Sequence, residues 1–574
     1  MKKIYLLSLL GLSFQSCQKD FQPQALPVEQ LAIDRVDKMS KDPQPWRWKD
    51  WAQTARDFDN VAFNYQESGP FFPIIWDDPV PRNGFDQGTF GLYTALGDVR
   101  EGPDINNGEN HEAIGAFGAL IGGSLMGIDK SNQHGRDFPA MMRNYFNRDN
   151  GWNIIMNFTN KGAHIGGGYG NDWWYDVLNN VLFYTLADCY PDMEGRNELL
   201  WAIADRFLQS MEVLGDNFSY SYFDYKNMQA EKNHIPTQED VAAGYTYILY
   251  AAYLTFAEDK YLAAAKKALA VLESQTENRS YEILMSFAPL MAARLNAETG
   301  SDFNTAKFLD WTFDGDAKGR EGWGVTIGKW GDYDVSGMMG STVHNGGYGF
   351  LMNTFQLAWT LPPLVRYDQR YARSIGLWAL NAANSARFCY PDEMPDSLQS
   401  LGDRKEITKG VIAYEGLIKE SIYPEHSGKS PFAQGDGPLW APGMPQETQF
   451  SIYGSSYVGF FGAVLQKTDV EKVLQVNCTA TDFFKKGEAY PTWLIYNPYK
   501  TVQTISFDAG TAVVDVYDSV NREILHRKVS GKVAIALPAD EARALVLVPS
   551  GSTWQVQNGK LEADGVVVDY RYEQ

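Results

Sequence analysis

The sequence predicts a mainly α-helical body of repeated helical hairpins, followed by a small antiparallel β-sandwich. Three observations carry this. Apolar residues recur at helical spacing in 241–254, 261–272 and 281–296. The grammar Glu258-Asp259-Lys260-Tyr261-Leu262, leading into Ala268 and Leu269, returns as Tyr367-Asp368-Gln369-Arg370-Tyr371-Ala372, leading into Ile375, Trp378, Ala379 and Leu380. Repeated hairpins of roughly 50 residues imply an array of helix pairs. After about residue 466 the texture changes to short β-rich runs at 490–498, 502–507, 511–517, 533–537 and 544–548, with turn residues between them.

In chain order, residues 1–17 read as a processing segment. Lys2 and Lys3 precede an apolar run from Ile4 to Leu12 that is too short to span a bilayer, and Ser16-Cys17 follows. A small residue directly before a cysteine at this distance resembles the bacterial lipoprotein signal, which implies lipidation at Cys17. Gln18-Lys19-Asp20 resembles the export tags of Bacteroidota surface lipoproteins. The expected address is the outer membrane, at the cell surface or on the periplasmic face, with the lipid as the membrane attachment. The Gln- and Pro-rich residues 18–45 suit a flexible tether. Residues 46–465 form the helical body, the expected catalytic domain, and 466–574 the β-domain. Within the body, Thr237 is the expected N-cap ahead of the helix from Val241, with Asp240 three residues on. The next helix shows Tyr261, Leu262, Ala265, Ala268, Leu269 and Leu272 on one face. The Gly-, Trp- and Asp-rich loops 314–348 and 392–447 are too long for connectors and are expected to carry function. Cys189, Cys389 and Cys478 share no close spacing, so neither a zinc motif nor a disulfide framework is supported.

Charge narrows the partners. Lys+Arg 50 against Asp+Glu 71 leaves a net charge of -21, which repels phosphate backbones and anionic headgroups and argues against nucleic-acid binding. Hydrophobic residues at 44% and charged residues at 21% exclude disorder for the bulk of the chain. The aromatic content, 14%, is high, and aromatic faces serve sugar binding and core packing alike.

The densest candidate stretch is His164 to Asp176. Its glycines let backbone approach a ligand, Trp173 and Trp174 can stack on a sugar, and Asn171 and Asp172 can hydrogen-bond or exchange a proton. Asp172 also suits an N-cap. Lacking the Lys-Ser/Thr ending and the dinucleotide spacing, the stretch is no phosphate cradle. A second cluster places Glu109, His111 and Glu112 at the opening of a small-residue helix, where the helix dipole alone would favour acids. A third runs through Trp330, Asp332 and Asp334 to His344, Asn345 and Tyr348. Glu239 and Asp240 begin a helix, Glu415 stands in an apolar run, and Asp77 and Asp78 flank Trp76. Neither a Gly-x-Ser-x-Gly elbow nor a His-Glu-x-x-His pair occurs. No metal motif or cofactor motif is present, and a loop-bound Ca²⁺ stays open.

A helical-pair body, a terminal β-domain and a lipoprotein signal together resemble the (α/α)-toroid carbohydrate-active enzymes, over most of residues 46–574. The resemblance implies an (α/α)6-type toroid and a carbohydrate substrate. The preferred chemistry is glycoside hydrolysis by paired carboxylates, Asp172 with Asp332 or Asp334, and Glu109 or Glu112 in reserve. A uronate lyase is the alternative. It would use Asn171, His344, Tyr348 and Arg320, since some toroid lyases set an Asn beside tandem tryptophans as Asn171-Asp172-Trp173-Trp174 does. A non-catalytic surface glycan-binding lipoprotein is the third reading. The acidic balance favours a neutral sugar, while the glycan, its linkage and the oligomeric state stay open.

Overall fold

A computed structural model describes residues 21–103, 110–159, 165–166, 171–421, 423–485 and 487–574. Cys17, Glu109 and His164 therefore lie outside the described residues.

The body is built from helices α1 (Trp51–Ala62), α2 (Ala113–Leu125), α3 (Trp173–Cys189), α4 (Arg196–Leu214), α5 (Val241–Phe256), α6 (Asp259–Ser274), α7 (Phe287–Thr299), α8 (Thr305–Phe313), α9 (Leu351–Tyr367), α10 (Ala372–Ser385) and α11 (Val458–Val464). Six of them touch in cyclic order: α2 on α3, α3 on α5, α5 on α7, α7 on α9, α9 on α11, and α11 back on α2. The others pack outside this ring, α1 on α11, α4 and α6 on α5, α8 on α7 and α10 on α9.

Two burial patterns occur among these helices. Ring helices α2 and α5 are buried on all sides: every residue of α2 from Ala113 to Gly123 and of α5 from Val241 to Ala252 is buried. Outer helix α1 buries one stripe, Trp51, Thr54, Ala55, Phe58, Asp59 and Ala62, whereas α10 is buried nearly throughout. Helix α6 buries Tyr261, Ala264, Ala265, Ala268, Leu269, Val271 and Leu272, close to the expected face, with Leu262 at its edge. Thr237 caps nothing; its hydroxyl donates to Glu239 at 3.0 Å, and Asp240 is the residue before α5.

Small residues close the ring. Gly122 of α2 and Gly459 of α11 meet backbone to backbone, and a Cβ on Gly459 would stand 2.3 Å from the Gly122 Cα. A Cβ on Gly118 would stand 2.6 Å from the Tyr457 ring, whose hydroxyl donates to the Ile114 carbonyl at 2.9 Å.

Between the helices lies an antiparallel sheet of β1 (Trp323–Val325), β2 (Met339–Ser341), β3 (Tyr348–Phe350), β4 (Gly416–Ile418) and β5 (Phe432–Gln434), in the order β5-β4-β3-β2-β1. It assembles much of the two long loops into ordered structure.

The C-terminal region holds β6 (Leu465–Lys467), β7 (Leu474–Asn477), β8 (Thr492–Tyr496), β9 (Gln503–Asp508), β10 (Val514–Asp518), β11 (Glu523–Val529), β12 (Lys532–Leu537), β13 (Ala542–Pro549), β14 (Trp554–Gln557), β15 (Lys560–Ala563) and β16 (Val566–Asp569). Six strands pair antiparallel as β6-β7-β8-β13-β10-β11. Alternation along β13 feeds both faces. Leu545 and Leu547 join Ile505, Phe507, Ile535 and Leu537 of the β9-β12 pair, while Val546 and Val548 join Leu561 and Val568 of the three-stranded β14-β15-β16 sheet.

Residues 21–45 are not a free tether. The Val28 N–H donates to the Val520 carbonyl at 2.8 Å and the Leu31 N–H to Arg370 at 2.8 Å, and Ile33, Val36 and Met39 are buried in the body core. The apolar spacing of those three residues outweighs the polar composition. Arg294 ties the two regions together, donating to the carbonyls of Phe483 and Phe484 at 2.9 and 2.5 Å.

Gly459→Ala is expected to lower stability by about 1–3 kcal/mol, the usual cost of overpacking, read as a shifted urea midpoint. An unchanged midpoint would show that the Gly122 contact does not hold the ring closed.

Candidate active site

The ring helices turn their N-terminal ends toward one cleft of about 450 Å³. Its walls come from Glu112 before α2, Asp172 before α3, the segment 234–236 before α5, Tyr281 and Glu282 before α7, Phe350 before α9 and Tyr453 before α11. Trp174 and Tyr175, from the first turn of α3, add aromatic wall. The strand ends contribute Tyr348 of β3, Glu415 just ahead of β4 and Asp436 just after β5. The same geometry opens a second, outer chamber of about 880 Å³, which shares Arg320, Tyr348, Glu415, Asp436 and Trp440 with the first.

Glu415 is a strongly perturbed carboxyl of the cleft. Its Oε1 accepts the Tyr348 hydroxyl at 2.6 Å and its Oε2 accepts the Asp436 N–H at 3.2 Å. Desolvation first, and then the charge of Asp436, push it up to about 8, and Glu112 adds to the rise against the pull of both hydrogen bonds. Asp436 is also raised, by desolvation, while His344 and Arg320 pull it down.

Asp172 lines the same cleft. Its Oδ2 accepts the Tyr281 hydroxyl at 3.1 Å, and it makes no capping bond to α3 although it holds the N-cap position. A helix N-terminus favours the charged carboxylate. Burial outweighs that here and pushes Asp172 up to about 6, with Tyr281, Arg320 and His234 pulling the other way.

Arg320 serves both sides, acting on Asp172 and Asp436 alike. Its guanidinium is fixed by an ion pair with buried Glu282 and by the Trp323 ring, 4.0 Å away. Glu282 is held in turn by the Asn353 side-chain amide at 2.7 Å. On the far wall, Glu112 accepts the Tyr175 hydroxyl at 3.0 Å. Behind it the buried His111 bridges Glu101 at 2.8 Å and Tyr145 at 3.0 Å.

Of the residues singled out from sequence, Asp172, Trp174, Glu112, Tyr348, Glu415 and Arg320 meet in the cleft, and His344 and Asn345 line the outer chamber. Others are placed elsewhere. Asp332 and Asp334 sit on the hairpin 329–334, outside both chambers; the Asp334 N–H donates to the Gln44 carbonyl and its carboxylate accepts from Ser336. Trp330 on the same hairpin is buried against Gly347. Trp173 belongs to the core, stacked on Phe218 with its indole N–H on the Tyr225 hydroxyl at 3.0 Å. Glu239 is buried and paired with Arg279 at 3.1 Å, and Asn171 is buried without lining the cleft. Asp240 accepts the Tyr281 N–H at 2.9 Å and is pushed up to about 7 by burial, supporting the site from beneath. Asp77 pairs with Arg136 and Asp78 with Arg82, away from the cleft.

Four cleft residues carry no sequence motif: Asp436, His234, Tyr281 and Glu282. The run Gly435-Asp436-Gly437-Pro438-Leu439-Trp440 has the Gly-Asp-Trp texture that marks the loop, and Tyr281-Glu282 precedes a helix as Glu239-Asp240 does. Among the described residues no three His, Cys, Asp or Glu side chains converge as a metal site requires.

Raised carboxyls have a stability consequence. Glu415 binds its proton more tightly folded than unfolded, so its contribution is complete below its ordinary range and is lost as pH rises through about 8. Glu415→Gln is therefore expected to flatten the fall in urea midpoint between pH 5 and pH 9. A variant as pH-sensitive as the wild type would refute the raised value.

No protein-family model and no curated protein sequence matches the chain. Among solved structures it is similar to a GH127 β-arabinofuranosidase, at 11% identity and a TM-score of 0.36 over 95% of this chain and 85% of that one. A GH127 β-L-arabinofuranosidase from Geobacillus stearothermophilus T6 gives 8% and 0.35, over 95% and 86%. An unsaturated glucuronyl hydrolase from Streptococcus agalactiae gives 10% and 0.25, over 76% and 98%. All three are glycoside hydrolases. Likeness of this degree identifies neither family nor substrate, and the functional reading rests on the cleft.

Proposed function

We propose that the protein is a glycoside hydrolase acting on a neutral poly- or oligosaccharide, with Glu415 as general acid and Asp172 as general base. One arrangement carries this: a single cleft is lined by two carboxyls in different surroundings, Glu415 under the Tyr348 hydroxyl and beside Asp436, pushed up to about 8, and Asp172 on the Tyr281 hydroxyl near Arg320, pushed up only to about 6. Carboxyls whose surroundings separate their pKa values divide into an acid and a base. Glu415 gives its proton to the glycosidic oxygen as the bond to the anomeric carbon breaks. Asp172 takes a proton from the water that attacks that carbon from the other face. Tyr348 and Tyr281 aim the two carboxyls through their hydroxyls. Reaction by this route inverts the anomeric centre.

Charge supports hydrolysis over elimination. Besides Glu415, which keeps its proton, four carboxyls line the cleft, Glu112, Asp172, Glu282 and Asp436, against Arg100 and Arg320. Both arginines are paired, Arg100 with Asp98 and Arg320 with Glu282. A lyase needs a cation to neutralise the uronate carboxylate, and Tyr348 is engaged with Glu415.

The ring of six helices with its outer partners is read as an (α/α)6-type toroid and the C-terminal sheets as its β-sandwich. Export and lipidation at Cys17 complete the proposal, resting on Lys2, Lys3, the apolar run and Ser16-Cys17.

A panel of neutral and uronic-acid polysaccharides tests the reading. New reducing ends without the ultraviolet absorbance of an unsaturated uronate are expected; that absorbance would indicate elimination, and neither signal would sink the enzyme reading for the panel. On the substrate found, Glu415→Gln and Asp172→Asn should each lower kcat by about 10²–10⁴. The wild-type kcat/KM should rise with pH through about 6 as Asp172 ionises and fall through about 8 as Glu415 loses its proton. Full activity in either variant would remove that residue from the mechanism.

A further inference from the structure

The cleft does not end at the carboxyls. Glu415, Tyr348, Asp436 and Arg320 form a wall common to the inner and outer chambers, so a glycosidic oxygen at Glu415 has room on each side. Trp440 belongs to that shared wall as well, and beyond it the lining changes character. Val343, Leu439 and Trp440 are 52%, 49% and 61% exposed and gather in one chamber. Single exposed apolar residues are ordinary on a protein surface, but a group of them at the mouth of a polar cleft marks a binding surface. Beside them stand Asn345 and His344, whose side chains meet at 3.0 Å and bring polar groups to the chamber.

Resting on the hydrolase reading above, we propose that the outer chamber is the leaving-group subsite, and that the Trp440 indole is the platform for a neutral sugar ring there. Sugars present a C–H face that loses water when it stacks on an aromatic ring, while their hydroxyls remain free for hydrogen bonds. The charge lining agrees with a neutral occupant: Glu321 and Asp436 stand against Arg320, while Glu415 keeps its proton. The platform is also tied to the acid. Trp440 ends the short helix Gly437–Trp440, its N–H donating to the Asp436 carbonyl at 3.3 Å, and the Asp436 N–H holds Glu415. A ring seated on Trp440 therefore bears on the segment that positions the proton donor.

Calorimetric titration of the full chain tests this, with xylohexaose, mannohexaose and arabinohexaose as neutral probes and hexagalacturonate as the acidic one. Trp440→Ala is expected to weaken binding of the neutral probe at least tenfold, with Trp440→Phe within threefold of wild type. On a hydrolysed probe the same change should raise KM far more than it lowers kcat. Unchanged affinity in Trp440→Ala, preference for hexagalacturonate, or binding of none of the probes would each overturn the platform. Binding that depends on Trp440 without any hydrolysis would uphold the platform and overturn the hydrolase reading instead.

Discussion

The contact between Gly122 and Gly459 joins the last ring helix to the first, and the site exists because that join is made. The ring helices are buried almost all round, so the energetically complete arrangement is one in which every helix has ring neighbours on both sides. Closure brings six helix starts to one mouth. Residues far apart in the chain, such as Glu112, Asp172, Tyr281 and Tyr453, become neighbours without any local motif linking them.

The electrostatics of that mouth is a contest. Helix starts offer unpaired N–H groups and partial positive charge, which would lower nearby carboxyls by a modest amount. Packing those starts together also removes water, and burial is the first cause of the rise at Asp172, Glu415 and Asp436 alike. Desolvation wins at all three. The degree differs with the partners: Asp172 has Tyr281, Arg320 and His234 to support its charge, whereas Glu415 faces the charges of Asp436 and Glu112. One cleft thereby holds a carboxyl that keeps its proton and one that gives it up.

How much of this was legible in the sequence depended on whether the signal was local. Helix pairs were, because Tyr261, Ala265, Ala268, Leu269 and Leu272 repeat within one segment. Asp172 and Trp174 stood out because glycine, carboxylate and aromatic residues crowd together, yet Trp173 beside them faces the core, since adjacent helical residues point about 100° apart. Asp332 and Asp334 carried an equally dense signal and were misplaced. Asp332 lies in the hairpin's turn and Asp334 on its second strand, and the sequence does not show which way such a hairpin projects; this one is bonded to Gln44. Glu415 gave only a lone acid in an apolar run, because its partner Tyr348 lies 67 residues earlier in the chain. The segment 21–45 misled by composition, its few apolar residues being spaced to reach the core.

On the proposed hydrolase reading, Glu415 is the acid, and its place where the two chambers meet, and not deep in either, suits that role. Fully enclosed, it would keep its proton but could not reach a bond linking two sugars; fully open, water would return it to the ordinary carboxylate range. At the shared wall it lies under Tyr348 and the Asp436 N–H with the charges of Asp436 and Glu112 close by. A sugar on either side displaces more water and raises the cost of the charged form further. The proton is then held until the glycosidic oxygen, gaining negative charge as its bond breaks, becomes the better base.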